Sequence, residues 1–259
     1  MTALLEHLES RRRDGRKLLV PYLMAGIPDE QAFPSALSSI AESADAVEVG
    51  VPYSDPLMDG PVIASAGERA LRNGVGPTRA LELVGEADTG DTPRIVMTYY
   101  NPIHRAGEQD FCARVAGGGG SGLIVPDLPV EESDSLRAAA ATHGLAWIPL
   151  VAPTSPAERV EALVATCTGF VYAVSSLGVT GVRESLSERA AAVTEACREA
   201  TDLPVLVGIG VSNATQAVEA CRSADGVVIG SAVVRAVLEE GGPVAASFLR
   251  DVRSALDAG

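Results

Sequence analysis

One carboxylate in this sequence lies at a position where its burial would cost stability and so calls for a role beyond folding. Glu48 interrupts the short apolar strand at residues 45–50, and a charged group buried among valines is unfavourable without a partner. Partial desolvation raises the pKa of a carboxyl group, so that it can both donate and accept a proton near neutral pH. The loop that follows carries two more carboxylates, Asp55 and Asp59. We therefore interpret Glu48 and Asp59 as the acid/base pair of an enzyme.

Each of these carboxylates also has a purely structural interpretation. Glu48 could be buried against an Arg or Lys elsewhere in the chain, and Asp59 could cap the helix that begins after it. Asp55 precedes a proline and could simply form a turn. Side-chain alternation along the strand favours chemistry for Glu48, because Val47 and Val49 face one side while Glu48 faces the other. If the valines pack against helices, Glu48 points into the interior of a barrel.

Glycine-containing turns follow three late strands, at residues 176–181, 208–212 and 230–231. Glycine lets backbone N–H groups approach phosphate oxygens, and the N-terminus of a short helix adds further donors. The loops after the seventh and eighth strands of a barrel are the usual place for such a site. The sequence therefore predicts phosphate binding there without Lys or Arg, although tight packing turns are the alternative. The run at 117–120 precedes a strand and is interpreted as a turn.

Strand-length apolar runs alternate with helical segments along the chain, which is typical of βαβ units and a parallel sheet. The predicted strands are residues 18–24, 45–50, 94–100, 122–126, 145–150, 170–174, 203–207 and 226–229. The predicted helices with both ends assigned are residues 3–12, 60–73, 77–86, 108–116, 130–143, 156–166, 185–200 and 243–256. Three further helices are predicted: one capped by Asp29 that runs to about residue 43, one capped by Ser212, and one that begins at Ser231.

Eight strands that alternate with helices predict an α/β fold, a single-domain (β/α)8 TIM barrel over residues 1–259 with an extra N-terminal helix. The length of 259 residues is usual for one such barrel. Active sites of this fold lie at the C-terminal ends of the strands, where the Glu48 strand ends. An open doubly wound sheet is the alternative that the same alternation allows.

The composition disfavours several classes of function. With 20 Lys and Arg against 34 Asp and Glu, the formal charge is −14, which disfavours nucleic acid and anionic membranes as partners. The four cysteines show no C-x-x-C spacing and are expected to be free thiols, and the three histidines show no metal-ligand spacing, so no metal is expected. The N-terminus shows no secretory pattern and no apolar run is of membrane-spanning length, so we expect a cytoplasmic protein.

Several longer motifs together resemble one known family. The most specific is EVGVPYSDPLMDGP at residues 48–61, and the others are PYLMAG at 21–26, MTYYNP at 97–102, VPDLPVEE at 125–132, GVTG at 178–181 and GIG at 208–210. On these motifs the chain resembles the alpha subunit of tryptophan synthase, from about Leu18 to the C-terminal helix. It departs from many relatives at Ser176, where they have Arg or Leu, and at Tyr53, where they have Phe.

The resemblance implies retro-aldol cleavage of indole-3-glycerol phosphate to indole and glyceraldehyde 3-phosphate, without a metal or an organic cofactor. It implies that Glu48 moves protons at carbon and that Asp59 accepts a hydrogen bond from the indole N–H. The other residues that it implies are Tyr172 as a support for Glu48; Tyr22, Tyr99, Leu123 and Ile229 as walls of the indole pocket; Gly181, Gly208, Gly210, Gly230 and Ser231 as the phosphate site; and Thr180 as a lid residue that bonds Asp59.

The resemblance further implies a beta-subunit partner in an αββα complex, which uses pyridoxal phosphate to join indole with serine and receives indole through a tunnel. This chain shows no apparent site for that cofactor. Asp55, Leu57, Met58 and residues 126–129 are the interface candidates. One alternative is a stand-alone indole-3-glycerol phosphate lyase that releases free indole. Another is a barrel that only activates a partner, which the presence of both Glu48 and Asp59 disfavours.

Overall fold

The computed structural model describes residues 1–13, 15–174, 186–208 and 210–259, which form twelve α-helices and nine parallel β-strands. The strands are β1 (Leu18–Met24), β2 (Val47–Gly50), β3 (Arg94–Met97), β4 (Gly120–Ile124), β5 (Ala146–Trp147), β6 (Leu150–Val151), β7 (Val171–Val174), β8 (Val205–Gly208) and β9 (Gly226–Ile229). The helices are α1 (Ala3–Arg13), α2 (Phe33–Ala41), α3 (Pro61–Arg72), α4 (Pro77–Glu86), α5 (Tyr100–Ala106), α6 (Glu108–Gly117), α7 (Asp134–Thr142), α8 (Ala157–Ala165), α9 (Leu186–Ala200), α10 (Ala214–Ala220), α11 (Ser231–Glu240) and α12 (Gly242–Ala258). Within these described ranges, no helix is both long and apolar enough to span a bilayer.

The strands close into a barrel, as the alternation predicted. The hydrogen-bonded order is β5-β4-β3-β2-β1-β9-β8-β7-β6, and β5 and β6 are two halves of the fifth barrel strand. Pro149 lies between these halves and has no N–H to donate. The Ile148 N–H donates to the Leu123 carbonyl at 3.1 Å, whereas the Pro149 carbonyl accepts from the Tyr172 N–H at 3.1 Å. The chain therefore changes from pairing with β4 to pairing with β7, and this change joins the two edges of the sheet.

Most predicted boundaries lie within two residues of the observed ones, and the larger errors have local causes. The strand predicted at 94–100 ends at Met97, because Tyr100 begins the unpredicted helix α5. The helix predicted from residue 130 begins as the 3-10 turn Val130–Glu132, and α7 starts only at Asp134. The predicted strand at 145–150 is interrupted by Pro149.

Two predicted helix caps are wrong. The side chain of Asn213, not Ser212, accepts from the first turn of α10, at 2.9 Å from the Gln216 nitrogen. The Ser212 hydroxyl instead donates to the Gln216 side chain. The Asp29 carboxylate accepts two N–H groups, including that of Gln31, in the turn that precedes α2. Short polar side chains stabilise such turns as readily as helix ends, so sequence alone did not separate the two cases.

The barrel interior is a separate apolar cluster, and α1 closes it at the N-terminal end of the strands. Leu4 and Leu8 of α1 are fully buried in this cluster, which accounts for the predicted extra helix. Its buried members are Leu4, Leu8, Leu18, Val20, Ala46, Ile95, Ile124, Ala146, Ile148, Phe170, Leu206 and Val228. Val47 and Val49 belong to the larger cluster between the sheet and the helices. The predicted alternation along β2 is therefore confirmed.

A buried ion-pair network lies at the same N-terminal end of the barrel. Asp45, only 1 % exposed, accepts from the Arg16 Nε at 2.6 Å, from the Leu19 N–H at 2.9 Å and from an Arg253 nitrogen at 3.2 Å. Arg253 belongs to α12 and also donates to the Lys17 carbonyl. Asp45 therefore joins the last helix of the chain to the start of the barrel.

We predict that Asp45→Asn lowers the free energy of unfolding by about 3 kcal/mol, because it removes the carboxylate that pairs with Arg16 and leaves the buried Arg253 with Asp257 as its one remaining described acidic partner. Urea unfolding, followed through the fluorescence of the single tryptophan, the buried Trp147, measures the loss. The matched control is Glu68→Gln, which removes the exposed ion pair with Arg72 and should cost less than about 0.5 kcal/mol. Equal losses in the two variants would contradict a structural role for Asp45.

Candidate active site

A cavity of about 130 Å³ lies at the C-terminal ends of the barrel strands and brings the two predicted catalytic carboxylates together. Glu48 reaches it from β2, and Asp59 from the loop that precedes α3. Its described lining is Tyr22, Glu48, Met58, Asp59, Gly60, Ile63, Met97, Leu150, Tyr172, Val174 and Gly230. The cavity is mostly apolar with a few converging polar groups, which is the usual composition of a small-molecule site.

Glu48 is buried, and within the described ranges no basic side chain neutralises it. Its side chain is 1 % exposed, and its Oε2 has no hydrogen-bond partner within the described part of the chain. Burial, and secondarily the negative charge of Asp59, raise the pKa of Glu48 to about 8. Among the described residues no Arg or Lys pairs with Glu48. The described structure therefore does not support the interpretation of Glu48 as one half of a buried ion pair. A carboxyl group with this pKa is protonated at neutral pH and can exchange its proton with a ligand.

Asp59 lies in a more solvated position on the loop. Desolvation raises its pKa, and a hydrogen bond from the Tyr99 hydroxyl partly offsets this rise. The N-cap of α3 is Gly60, and no described side chain caps this helix, so a capping role does not account for Asp59. Asp55 is exposed and accepts from the Ser54 hydroxyl at 2.6 Å, in keeping with a turn residue. The two carboxylates of the loop thus have different surroundings.

Tyr99 contacts the loop that carries Asp59. Its hydroxyl accepts the Met58 N–H at 2.9 Å, and the nearby Asp59 carboxylate contributes to the raised pKa of Tyr99. Its ring stacks on Tyr53, with the centroids 5.1 Å apart. The described lining of the cavity does not include Tyr99. The family resemblance implied Tyr99 as a wall of the pocket, and in the structure its hydroxyl contacts the loop that carries Asp59.

Two other tyrosines line the cavity beside Glu48, each above a glycine. A Cβ atom added to Gly50 would lie 1.8 Å from the Tyr22 hydroxyl, and one added to Gly208 would lie 2.5 Å from the Tyr172 ring. The glycines therefore leave the space that the tyrosine side chains fill. Burial raises the pKa of both tyrosines well above the usual value, so both hydroxyls stay protonated beside the carboxylates.

Leu123 and Ile229 are corrections to the predicted pocket. Each lies between two residues that face the barrel interior, so alternation turns its side chain outward. Both are buried in the cluster between the sheet and the helices. The described apolar walls are instead Ile63, Met97, Leu150 and Val174, together with Met58. Alternation could have identified Met97, Leu150 and Val174 near strand ends, but nothing in the sequence places Ile63 of α3.

The predicted phosphate residues lie around the C-terminal ends of β8 and β9. Gly230 lines the cavity and is the N-cap of α11, whose first residue is Ser231. Gly210 has φ +73°, which favours glycine, and open space where a side chain would project. Gly208 ends β8 beside Tyr172. The remaining predicted residues, Thr180 and Gly181, and the variant position Ser176 lie outside the described residues.

A groove of about 290 Å³ adjoins the cavity and shares Met58, Leu150 and Val174 with it. Residues 125–130, after β4, form one side, and the other includes Ala152, Ser155, Arg159 and Leu163. The neighbouring side chains of Leu57 and Met58 are 85 % and 40 % exposed. Exposed apolar side chains beside an open groove are typical of an interaction surface. Over the described residues, no cluster of three or more His, Cys, Asp or Glu has metal-binding geometry.

Comparison with known proteins gives one consistent family. The profile of the family described as Tryptophan synthase alpha chain matches residues 8–251. The chain is 47 % identical to the tryptophan synthase alpha chain of Streptomyces avermitilis, over 90 % of this chain and 84 % of that protein. It is 44 % identical to the tryptophan synthase alpha chain of Acidothermus cellulolyticus, over 100 % of this chain and 97 % of that protein. A structure of Mycobacterium tuberculosis tryptophan synthase has a TM-score of 0.92 at 41 % identity, covering 100 % of this chain and 99 % of that one. The structure of the tryptophan synthase alpha subunit of Legionella pneumophila str. Paris has a TM-score of 0.91 at 32 % sequence identity, and the match covers 100 % of both chains.

We predict that Glu48→Gln stabilises the protein increasingly as the pH rises from 4.5 to 8. The unfolded state releases the Glu48 proton near the ordinary pKa of 4.5, whereas the folded state retains it up to about 8, so the wild type loses stability across this window. Glutamine carries no such penalty, and its advantage should reach about 2–4 kcal/mol at pH 8. Urea unfolding at pH 5, 6.5 and 8 measures the difference, with the exposed Asp55→Asn as control. Parallel stability curves for wild type and Glu48→Gln would contradict a penalty for ionising Glu48.

Proposed function

The chain belongs to the tryptophan synthase alpha chain family, and we propose that Glu48 and Asp59 are the residues with which it cleaves indole-3-glycerol phosphate. As a member of this family it is a lyase of tryptophan biosynthesis. The observation that carries the proposal is the buried, raised-pKa carboxyl group of Glu48, whose Oε2 has no partner among the described residues and which faces a cavity that Asp59 shares. The products are indole and glyceraldehyde 3-phosphate.

Glu48 acts as acid and then as base. Its protonated carboxyl group gives a proton to C3 of the indole ring, which makes the ring an electron acceptor. The resulting carboxylate removes the proton of the C3′ hydroxyl. The electrons of that O–H bond form the aldehyde C=O, and the C3–C3′ bond breaks with its electron pair returning to the ring. Glu48 regains its proton, so one carboxyl group serves both proton transfers.

Asp59 stabilises the electron-poor ring. Its carboxylate accepts a hydrogen bond from the indole N–H, whose positive charge grows once C3 is protonated. Tyr99 accepts the Met58 N–H and so supports the loop that carries this carboxylate without neutralising it. Thr180, which the family resemblance implies as a second partner of Asp59, stays a prediction. The reaction requires no cofactor in this chain, because proton transfer and a positioned charge supply its chemistry.

The two ends of the substrate require different surroundings. The indole ring suits the apolar walls of the cavity, including Met97, Leu150 and Val174. The phosphate suits the free N–H groups at the start of α11 and the open turn at Gly210. Gly208 and Ser231 complete this proposed site, and Gly181 stays a prediction. Neutral donors let an acidic protein bind an anion locally.

We propose that a beta chain covers the groove beside the cavity. The exposed side chains of Leu57 and Met58 and the groove that begins at Met58 supply an apolar contact surface that continues into the active site. The partner would hold pyridoxal phosphate and receive indole, in an αββα assembly. The relatives are named as alpha chains, which favours this role over a stand-alone lyase that releases free indole. A cytoplasmic location stays a prediction from the sequence.

We predict that Glu48→Gln lowers turnover by roughly 10²- to 10⁴-fold, the contribution of a positioned acid/base group, while the barrel stays folded. The assay is indole release from indole-3-glycerol phosphate, with and without a beta chain. Asp59→Asn should also lose activity, because a neutral amide stabilises the charged ring less than a carboxylate does. Near-normal indole release by Glu48→Gln would refute the assignment of the proton transfers to this residue.

We predict that Gly210→Asp weakens substrate binding far more than Gly210→Asn. Aspartate and asparagine have the same shape and similar tolerance of positive φ, so the pair isolates the effect of a negative charge placed next to the phosphate. The KM for indole-3-glycerol phosphate should differ between the two variants by at least about tenfold, or about 1.4 kcal/mol. Equal KM values for the two variants would place the phosphate elsewhere.

A further inference from the structure

We propose that Asp127 is a positioning residue for the reaction, and that it acts on Asp59 through Tyr99. Asp127 lies in the loop after β4, on the groove rather than in the catalytic cavity. It is not among the residues that the sequence singled out for catalysis or substrate binding. The inference rests on the proposed role of Asp59, and two hydrogen bonds lead from Asp127 through residues 99 and 100 to Met58, the neighbour of Asp59.

Asp127 fixes the start of α5. Its Oδ1 accepts the Tyr100 N–H at 2.8 Å, and Tyr100 is the first residue of this helix. The N-cap residue is Tyr99, with φ −74° and ψ 159°, and its own side chain makes no cap bond. A cap normally comes from the N-cap residue itself, so here a residue of the neighbouring loop supplies the acceptor. Without it, the direction of the chain at residues 99 and 100 is less constrained.

Tyr99 needs that constraint because its hydroxyl holds the backbone next to Asp59. The Met58 N–H donates to this oxygen at 2.9 Å, and the nearby Asp59 carboxylate contributes to the raised pKa of Tyr99. Strand β3 has already ended at Met97, so the sheet does not hold Tyr99 directly. The stacking on Tyr53 supports the ring from the loop side. A rotation at the start of α5 therefore moves the hydroxyl away from the Met58 N–H and releases the loop that carries Asp59.

Tyr100 provides a matched control, because it is also anchored at a second, unrelated point. Its hydroxyl donates to Glu108 of α6 at 3.0 Å, and Glu108 also accepts from Ser135 of α7. These contacts join helices on the outside of the barrel. Tyr100→Phe thus removes one hydrogen bond of the same residue but leaves the bond between Asp127 and the backbone N–H in place.

The kinetic test compares five variants of the full chain in the indole-release assay: three single variants, Tyr99→Phe, and Asp127→Ala combined with Tyr99→Phe. Asp127→Ala should lower kcat about tenfold, whereas Asp127→Asn, which keeps an acceptor oxygen, should stay within about twofold of wild type, as should Tyr100→Phe. In a Tyr99→Phe background, Asp127→Ala should cost less than twofold, because its route to Asp59 is already lost. A loss below threefold for Asp127→Ala, an equal loss for Asp127→Asn or Tyr100→Phe, or an undiminished effect in the Tyr99→Phe background would each overturn the proposal.

A second test does not depend on activity. The chain has five tyrosines, so labelling their phenol carbons with ¹³C gives a spectrum that single Tyr→Phe variants can assign. Asp127→Ala should shift the Tyr99 signal, and Asp127→Asn should leave it at the wild-type position. An unmoved Tyr99 signal in Asp127→Ala overturns the proposal whatever the enzyme catalyses. Failure of the wild type to release indole would instead refute the proposed function.

Discussion

The protein depends on holding one carboxyl group, that of Glu48, inside a closed apolar barrel without a neutralising partner in the described structure. In water this group would ionise freely and could not give a proton to carbon near neutral pH. The barrel prevents that through the alternation of β2, which fixes Val47 and Val49 against the helices and leaves Glu48 facing inward. The apolar layers beneath it and the ion pairs of Asp45 at the opposite end of the strands supply the stability that offsets the cost of this burial.

The second carboxylate is positioned by a different principle. Asp59 lies on a loop, and its orientation comes from Tyr99, which follows β3. A rigid strand thus presents the group proposed to move protons, and a supported loop presents the group proposed to stabilise charge. This division suits the proposed reaction, because proton transfer at carbon needs fixed geometry, while the group at the ring nitrogen must allow substrate to enter.

The sequence predicted those parts of the molecule that depend on local periodicity. The barrel, the inward direction of Glu48, the closing helix α1 and several boundaries follow from alternating or helical patterns. The outward direction of Leu123 and Ile229 should have followed too, since each neighbours an inward residue, and the family resemblance alone placed them wrongly. A support such as Tyr99, the wall residue Ile63 and the cap from Asp127 arise between elements distant in the chain. No local pattern records such contacts, so only the three-dimensional structure could reveal them.

Because Tyr22 packs against the backbone of Gly50, a substitution at either position changes which side chains the other position can accept. With the tyrosine hydroxyl 1.8 Å from the place of a Cβ atom at residue 50, even alanine there requires a shorter or displaced side chain at residue 22. Tyr172 and Gly208 form a second such pair. Protein engineering can therefore enlarge the pocket for bulkier indoles by shortening either tyrosine. A larger side chain in place of Gly50 or Gly208 finds room only once the facing tyrosine has been shortened. A side chain introduced first at residue 50 or 208 meets the tyrosine, whereas one introduced after the tyrosine is shortened does not.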